Sequence, residues 1–385
     1  MKSSLPGLKS PPAKSNFIPV KSPARNLLLT PGPTPVPDAV RQVLSQPMFH
    51  HRTPRYRKIF ESVSGRLRKI FLTRFPVYTL TGSGTSAMEA SIVNFHSAGD
   101  EILVVDNGKF SERFTHIAKA YGLKPTVIKI AYGEAVPPAA IGEALKKNPK
   151  LRSVCVELCE TSTAVLQDIC AIGKITSGTD ALLIVDAISG LGADRLETDN
   201  WNVDLAISGS QKALMLPPGL AFLSVSEKAR KRLDAATLPR FYLDLKLYEK
   251  GMKDADTPFT PAIGLVLALE KALDLIETEG LENVFKRCAE LGAFTRESLK
   301  KLGLELFSKA PSSTVTAACF PAGVDGEKLI EIMRDEKGVT MAGGQGEMKG
   351  KIIRIAHMGA IRKPDLQEGI EVLKETLEEM KVREK

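Results

Sequence analysis

Seven short apolar runs recur between residues 77 and 225, each bounded by turn residues, and no other feature of the chain narrows its fold so far. They lie at 77–80, 101–105, 126–130, 153–156, 182–185, 205–207 and 221–225. Amphipathic helical patterns fill 86–97, 111–121, 138–147 and 169–177 between them. Strands that alternate with helices are joined by crossovers rather than hairpins, which predicts an α/β fold around a mostly parallel seven-stranded sheet.

Upstream, Thr30-Pro31-Gly32-Pro33 reads as a proline-rich turn. Residues 37–45 and 53–72 read as helices, the second with Ile59, Phe60, Val63, Leu67 and Phe71 at helical spacing. Downstream, an apolar-periodic helix runs from Pro261 to near Gly280 and a second passes through Phe285, Leu291 and Leu299. Strands near 314–320 and 351–356 and a closing helix over 364–380 suggest a smaller C-terminal α+β domain. The expected division is an arm over 1–26, a large domain over 27–278 and a small domain over 279–385.

Composition removes several classes of function. Of 385 residues, 43% are hydrophobic and 25% charged, which is ordinary for a globular chain of about two domains. No apolar stretch approaches the roughly 18–20 residues needed to cross a bilayer, so no membrane partner is expected. Cys155, Cys159, Cys170, Cys288 and Cys319 are odd in number and form no C-x-x-C pair, which points to free thiols in a cytoplasmic setting rather than to disulfides or a zinc site. The net charge of +8 is partly the property of residues 1–26, where Lys2, Lys9, Lys14, Lys21 and Arg25 stand with no acid among prolines and serines. That segment reads as a flexible arm or a targeting peptide. The basic residues between Arg41 and Lys69 fall on helices with little aromatic interleaving, so nucleic acid is not an expected partner.

Ligands of open α/β sheets sit outside the carboxyl ends of the strands, so residues just after the apolar runs carry the chemistry. Thr81-Gly82-Ser83-Gly84-Thr85-Ser86-Ala87 follows one run and opens a helix, a turn whose N–H groups and hydroxyls can cradle a phosphate. Asp186 ends Ala181-Leu182-Leu183-Ile184-Val185-Asp186, and Lys212 follows a third run in Ser208-Gly209-Ser210-Gln211-Lys212-Ala213. Ahead of Ala213-Leu214-Met215-Leu216, Lys212 sits in a poor place for an unpaired charge. A sequestered lysine with a strand-end carboxylate is what pyridoxal phosphate chemistry requires. The amine forms a Schiff base with the cofactor aldehyde, and the carboxylate keeps the pyridine nitrogen protonated. A competing reading takes Gly82-x-Gly84-x-x-Ala87 as a dinucleotide fingerprint of an NAD-binding oxidoreductase, with Asp106 as the ribose-binding acid. That reading leaves Asp186 and Lys212 without a role.

Taken in order, Thr30-Pro31-Gly32-Pro33, His51-Arg52-Thr53, Gly82-Ser83-Gly84-Thr85, Glu160-Thr161-Ser162-Thr163, Asp186-Ala187-Ile188-Ser189, the Lys212 segment with Pro217-Pro218-Gly219, and Ile353-Arg354-Ile355-Ala356-His357 resemble the class V aminotransferases. Within that class the chain is similar to the alanine–glyoxylate and serine–pyruvate aminotransferase branch. The resemblance spans residues 27 to about 380. It implies the fold type I architecture of pyridoxal-phosphate-dependent transferases and a two-half, ping-pong transamination between a small amino acid (alanine or serine) and a small oxo acid (glyoxylate or pyruvate).

Carried over position by position, the resemblance makes Lys212 the cofactor anchor and proton carrier, and Asp186 the partner of the ring nitrogen. Ser83, Gly84, Thr85 and Gln211 would hold the phosphate, Phe110 would stack on the ring, and Ser162 would lie near the phenolic oxygen. Arg354 would grip the substrate carboxylate, and Thr260 would reach the cofactor of a partner subunit in a homodimer with shared active sites. Thr257 stands where animal members have a tyrosine, and His51-Arg52 resembles prokaryotic members. The same branch also suggests a second role, as accessory subunit of a soluble hydrogenase-type redox complex.

Overall fold

The structure, a computed structural model, describes residues 26–383, so apart from Asn26 the basic arm lies outside the described residues. It begins with β1 (Leu27–Leu28). Strands β2 (Val77–Gly82), β3 (Glu101–Asp106), β4 (Lys124–Lys129), β5 (Ser153–Glu157), β6 (Leu182–Asp186), β7 (Leu205–Gly209) and β8 (Gly219–Val225) form one sheet in the order β2-β8-β7-β6-β5-β3-β4. Each of the seven apolar runs is therefore a strand of this sheet. Only β8 runs against its neighbours, and the remaining pairs are parallel. Six carboxyl ends consequently open on the same edge.

Side chains of successive strand residues point to opposite faces, and a sheet covered on both faces must be apolar throughout. In β6, Leu183 and Val185 enter one core cluster while Leu182 and Ile184 enter another. In β5, Val154 and Val156 divide from Cys155 in the same way. Helices α1 (Asp38–Leu44), α2 (Pro54–Ile70), α3 (Gly84–Val93), α4 (Glu112–Ala120), α5 (Pro138–Lys147) and α6 (Ile169–Thr176) cover the two faces. In α2, Thr53 caps the first turn by accepting from the Tyr56 N–H, Pro54 opens the helix, and Phe60, Val63 and Leu67 form the buried stripe. Helix α3 starts two residues earlier than apolar periodicity alone indicates, because Ser83 is extended and Gly84 already lies in the first turn.

Helices α7 (Ile263–Glu279) and α8 (Leu281–Lys301) meet at Gly280, whose φ of +84° a side chain would resist. Val284 and Cys288 of α8 pack on the large sheet's core, whereas Leu291 and Leu299 enter a separate C-terminal cluster. That cluster surrounds β9 (Val315–Cys319), β10 (Val339–Thr340), β11 (Ala342–Gly343) and β12 (Ile352–Ala356), with α9 (Gly326–Asp335) and α10 (Lys363–Arg383) outside them. Strands β9, β12 and β11 form an antiparallel sheet. Residues 27–29 also pack here: β1 pairs with β10, Leu29 accepts from the Ala356 N–H, and Leu27 and Leu29 lie inside the C-terminal cluster. Burying a leucine completely contributes about 1.5–3 kcal/mol. The anchored β1 therefore fixes where the Thr30-Pro31-Gly32-Pro33 turn must begin, between the two cores.

Candidate active site

At the shared edge of carboxyl ends lies a cavity whose wall includes Ser83, Gly84, Thr85, Phe110, Asp186, Gln211 and Lys212. Asp186, the last residue of β6, is buried, and one carboxylate oxygen accepts from the Ile188 N–H at 2.8 Å. Burial pushes its carboxyl up to about 6, against the opposing pull of the Ile188 N–H and of the Arg113 and Lys212 charges.

Lys212 follows β7 after two loop residues, and that loop is tightly held. Ser210 donates through its hydroxyl to Pro217 O at 2.7 Å and through its N–H to Leu220 O at 2.9 Å. From the other side the N-terminal turn closes over it: Thr34 donates to Gln211 O at 3.1 Å and, by its hydroxyl, to Lys212 O at 2.8 Å. The Lys212 amine donates to the Pro31 carbonyl. Gly32 in that turn has φ +132°, and a Cβ there would overlap the Lys212 side chain, so only glycine fits. Burial lowers the Lys212 amine to about 8, with Arg354 and Arg113 adding to the shift and Cys159 and Asp186 opposing it.

The other end of the cavity is the N-terminus of α3, where Ser83 is the cap residue but its hydroxyl makes no capping bond. Backbone donors and a hydroxyl are thereby left facing the cavity at a positive helix end. A Cβ on Gly84 would run into Ile188. Gln211 contributes a buried amide oxygen with no partner among the described residues. Arg113, from the first turn of α4, donates to Thr85 Oγ1 at 3.2 Å and lies 5.3 Å from the Phe110 ring centroid.

The loop after β3 is fastened by Glu160, a fully buried carboxylate that accepts from Phe110 N at 3.1 Å, Ser111 N at 2.8 Å and Ser162 N at 2.8 Å. Ser162 does not reach the cavity, because its hydroxyl accepts from Lys109 N at 3.0 Å. Its neighbour Thr161 lines the wall instead and shares a hydrogen bond with Ser189. Arg354 sits on β12 behind the wall, 4% exposed, donating to Gly343 O at 2.9 Å and Thr161 O at 3.0 Å. Its Nη2 has no partner among the described residues, and burial lowers the guanidinium to about 10. Thr260 is exposed and does not line the cavity of its own chain. Arg52 donates to Asp256 at 2.9 Å, which ties the His51-Arg52 segment to the loop that carries Thr257 and Thr260.

The dinucleotide reading fails on strand order. Strand β2 has one sheet neighbour, the antiparallel β8, so its glycine turn opens no parallel βαβ unit. Asp106 ends β3, five strands along from β2, and pairs with Lys129 at 3.4 Å. Three cavity residues, Arg113, Glu157 and Cys159, fall outside every motif that served as a sequence signal. Glu157 alone had a usable one, since like Asp186 it is an acid that ends a wholly buried strand.

Residues 30–362 match the family described as Aminotransferase class-V. An uncharacterised aminotransferase of Methanocaldococcus jannaschii is 41% identical over 87% of this chain and 88% of its own length. A protein named soluble hydrogenase, small subunit, from Synechococcus is 39% identical over 92% of this chain and 93% of its own. The crystal structure of an alanine–glyoxylate aminotransferase from Nostoc is 30% identical, covers 97% of this chain and 98% of its own, and superposes with a TM-score of 0.89.

An amine that titrates near 8 gains free base about fivefold between pH 7 and pH 8 and then levels off. Acylation of Lys212 in the cofactor-free protein, followed by mass spectrometry of its peptide, is expected to show that plateau. A rate that keeps rising tenfold per unit to pH 10 would mean the amine titrates as a surface lysine.

Proposed function

This chain belongs to the class-V aminotransferase family, whose members depend on pyridoxal phosphate, and on that premise we propose that it transfers an amino group from alanine or serine to glyoxylate or pyruvate. The cavity suits the cofactor on the residues present. Gln211 offers a buried amide whose oxygen has no partner, Ser83 and Gly84 leave a helix N-terminus free for a phosphate, and the glycines at 32 and 84 let Lys212 and Ile188 pack against the backbone at the cavity wall. Lys212, Asp186, Ser83, Gly84, Thr85, Phe110 and Gln211 would hold it. When bound, the cofactor supplies an electron sink for the pair left when the substrate Cα–H bond breaks.

The chain's residues do the rest. Arg354 receives the substrate carboxylate through its free Nη2 edge, the two bonds to Gly343 and Thr161 having already fixed the plane of the guanidinium. Lys212, with an amine partly unprotonated near neutral pH, takes the proton from Cα and returns it on the far side of the transfer. The Pro31 carbonyl orients that amine. Asp186 would supply the negative charge that pairs with the ring nitrogen of a bound cofactor. The donor would leave its nitrogen with the bound cofactor, take its carbonyl oxygen from water and depart as an oxo acid, and the incoming oxo acid would collect that nitrogen, release water and depart as an amino acid by the reverse proton movements. The observation that carries this reading is the buried Lys212 amine facing the same cavity as Asp186 and the open end of α3. The preference for small substrates is supported by the name of the Nostoc structure.

Homodimerisation with shared sites belongs to the same proposal. Thr260 is exposed and does not line its own cavity, and Phe241, 74% exposed, lies with Tyr242 against Phe259 beside it, an apolar cluster suited to a second copy. A cytoplasmic location accords with five free thiols, three of them buried. The Synechococcus name supports a second reading, association with a redox complex, but the intact Lys212, Asp186 and Arg354 favour an enzyme.

A panel of donors against glyoxylate, pyruvate and 2-oxoglutarate is expected to give alanine or serine with glyoxylate or pyruvate the highest kcat/KM, and best turnover of aspartate would refute the substrate proposal. Arg354→Ala should raise the amino-acid KM about 10–100-fold while cofactor affinity holds; loss of the cofactor instead would contradict the role given to Arg354. Sedimentation should find a dimer, and a fully active monomer would sink the shared-site proposal.

A further inference from the structure

Three buried carboxyl groups gather at the cavity: Glu157 at the end of β5, Glu160 three residues on, and Asp186 at the end of β6. Glu157 and Asp186 are register partners across the parallel β5–β6 pair. The fold supplies hydrogen-bond donors to the three very unequally. Glu160 accepts from three backbone N–H groups, and Asp186 accepts from one. Glu157 accepts from none, although it is only 2% exposed, lines the cavity and has both oxygens buried.

The cations pass over the same residue. Arg354 acts on Glu160, and Arg113 and Lys212 act on Asp186. The ionisable groups that act on Glu157 are two acids, Glu160 and Asp186, and the Cys159 thiol. An ionised carboxylate without donors or a cation, beside two others, is the least stable of the possible charge arrangements. The same group in its protonated form has an O–H to give to a neighbouring anion, and carboxyls this close titrate as a set rather than singly.

We propose that Glu157 carries the one proton of this three-carboxyl cluster and, as an uncharged donor beside Glu160 and Asp186, is a positioning residue that keeps Asp186 the anion available to the cofactor. The last clause rests on the proposed function, while the location of the proton does not. Burial, reinforced by Glu160 and Asp186, raises Glu157 well above the usual carboxylate range, whereas Asp186 reaches only about 6.

The location of the proton is read on the cofactor-free full chain by infrared spectroscopy at pH 8. The wild type is expected to show the C=O stretch of a protonated, buried carboxyl, and Glu157→Gln is expected to lose it. Absence of the band, or its survival in Glu157→Gln, would overturn the proposal. The positioning role is read by the affinity of the cofactor-free protein for pyridoxal phosphate. Glu157→Leu, which removes the donor, should weaken binding at least about tenfold, and should move the acid-side loss of affinity to higher pH as Asp186 becomes easier to protonate. Glu157→Gln, which keeps a neutral donor, should restore both. Equal affinity and an unchanged pH profile in Glu157→Leu would overturn the positioning role. A wild type that binds no pyridoxal phosphate would contradict the proposed function, and the band would still decide where the proton lies.

Discussion

Confinement of one amine organises this molecule. Lys212 is drawn out of water beneath the Pro31 carbonyl, and the rest of the site follows from the need to make that tolerable. The amine is lowered to about 8, so at neutral pH it holds a proton most of the time and releases it readily. The turn over it must contain glycine at position 32, and the turn stays in place because β1 is sewn to β10 and packed among C-terminal side chains. Two cores thus converge on a single side chain. The large sheet carries Lys212 up from below, and the C-terminal lobe, through residues 27–34, closes it from above.

Charge in the cavity is arranged by the supply of donors rather than by the number of ionisable groups. Glu160 accepts from three backbone N–H groups, and it serves to fasten the Phe110 loop and to face Arg354. Asp186 has one such donor and depends on Arg113 and Lys212 as well. Arg113 acts twice, on Asp186 through its charge and on Thr85 through a hydrogen bond, so it links the aspartate to the open end of α3. A carboxylate held ready beside a lowered lysine is the pairing that carbanion chemistry at a pyridinium ring requires.

Much of this was legible in the chain because strands buried on both faces read as unbroken apolar runs, and because strand ends mark where ligands bind. Asp186, Lys212 and the Ser83-Gly84-Thr85 turn were reached that way, whereas a role for Gln211 came only from the family resemblance. Strand order was not legible. Nothing in the spacing between Gly82 and Asp106 shows that four strands intervene between β2 and β3, and the dinucleotide reading rested on that spacing. Neighbouring hydroxyls were also indistinguishable: Thr161 and Ser162 have the same chemistry, and only the path of the backbone around Glu160 turns the first inward and commits the second to Lys109. Arg113 looked like one more charge on an amphipathic helix. Glu157, one residue past the apolar run at 153–156, was not singled out, although an acid closing a fully buried strand is an energetic anomaly that calls for a partner.

The central claim is that Lys212, among all the lysines of the chain, is the one the cofactor engages. Loading the protein with pyridoxal phosphate, reducing with borohydride and mapping the peptides tests it directly. The account predicts a single pyridoxyl group, on Lys212, in about one equivalent per chain. A label spread over surface lysines, or placed on another buried lysine while Lys212 remains free, would contradict it.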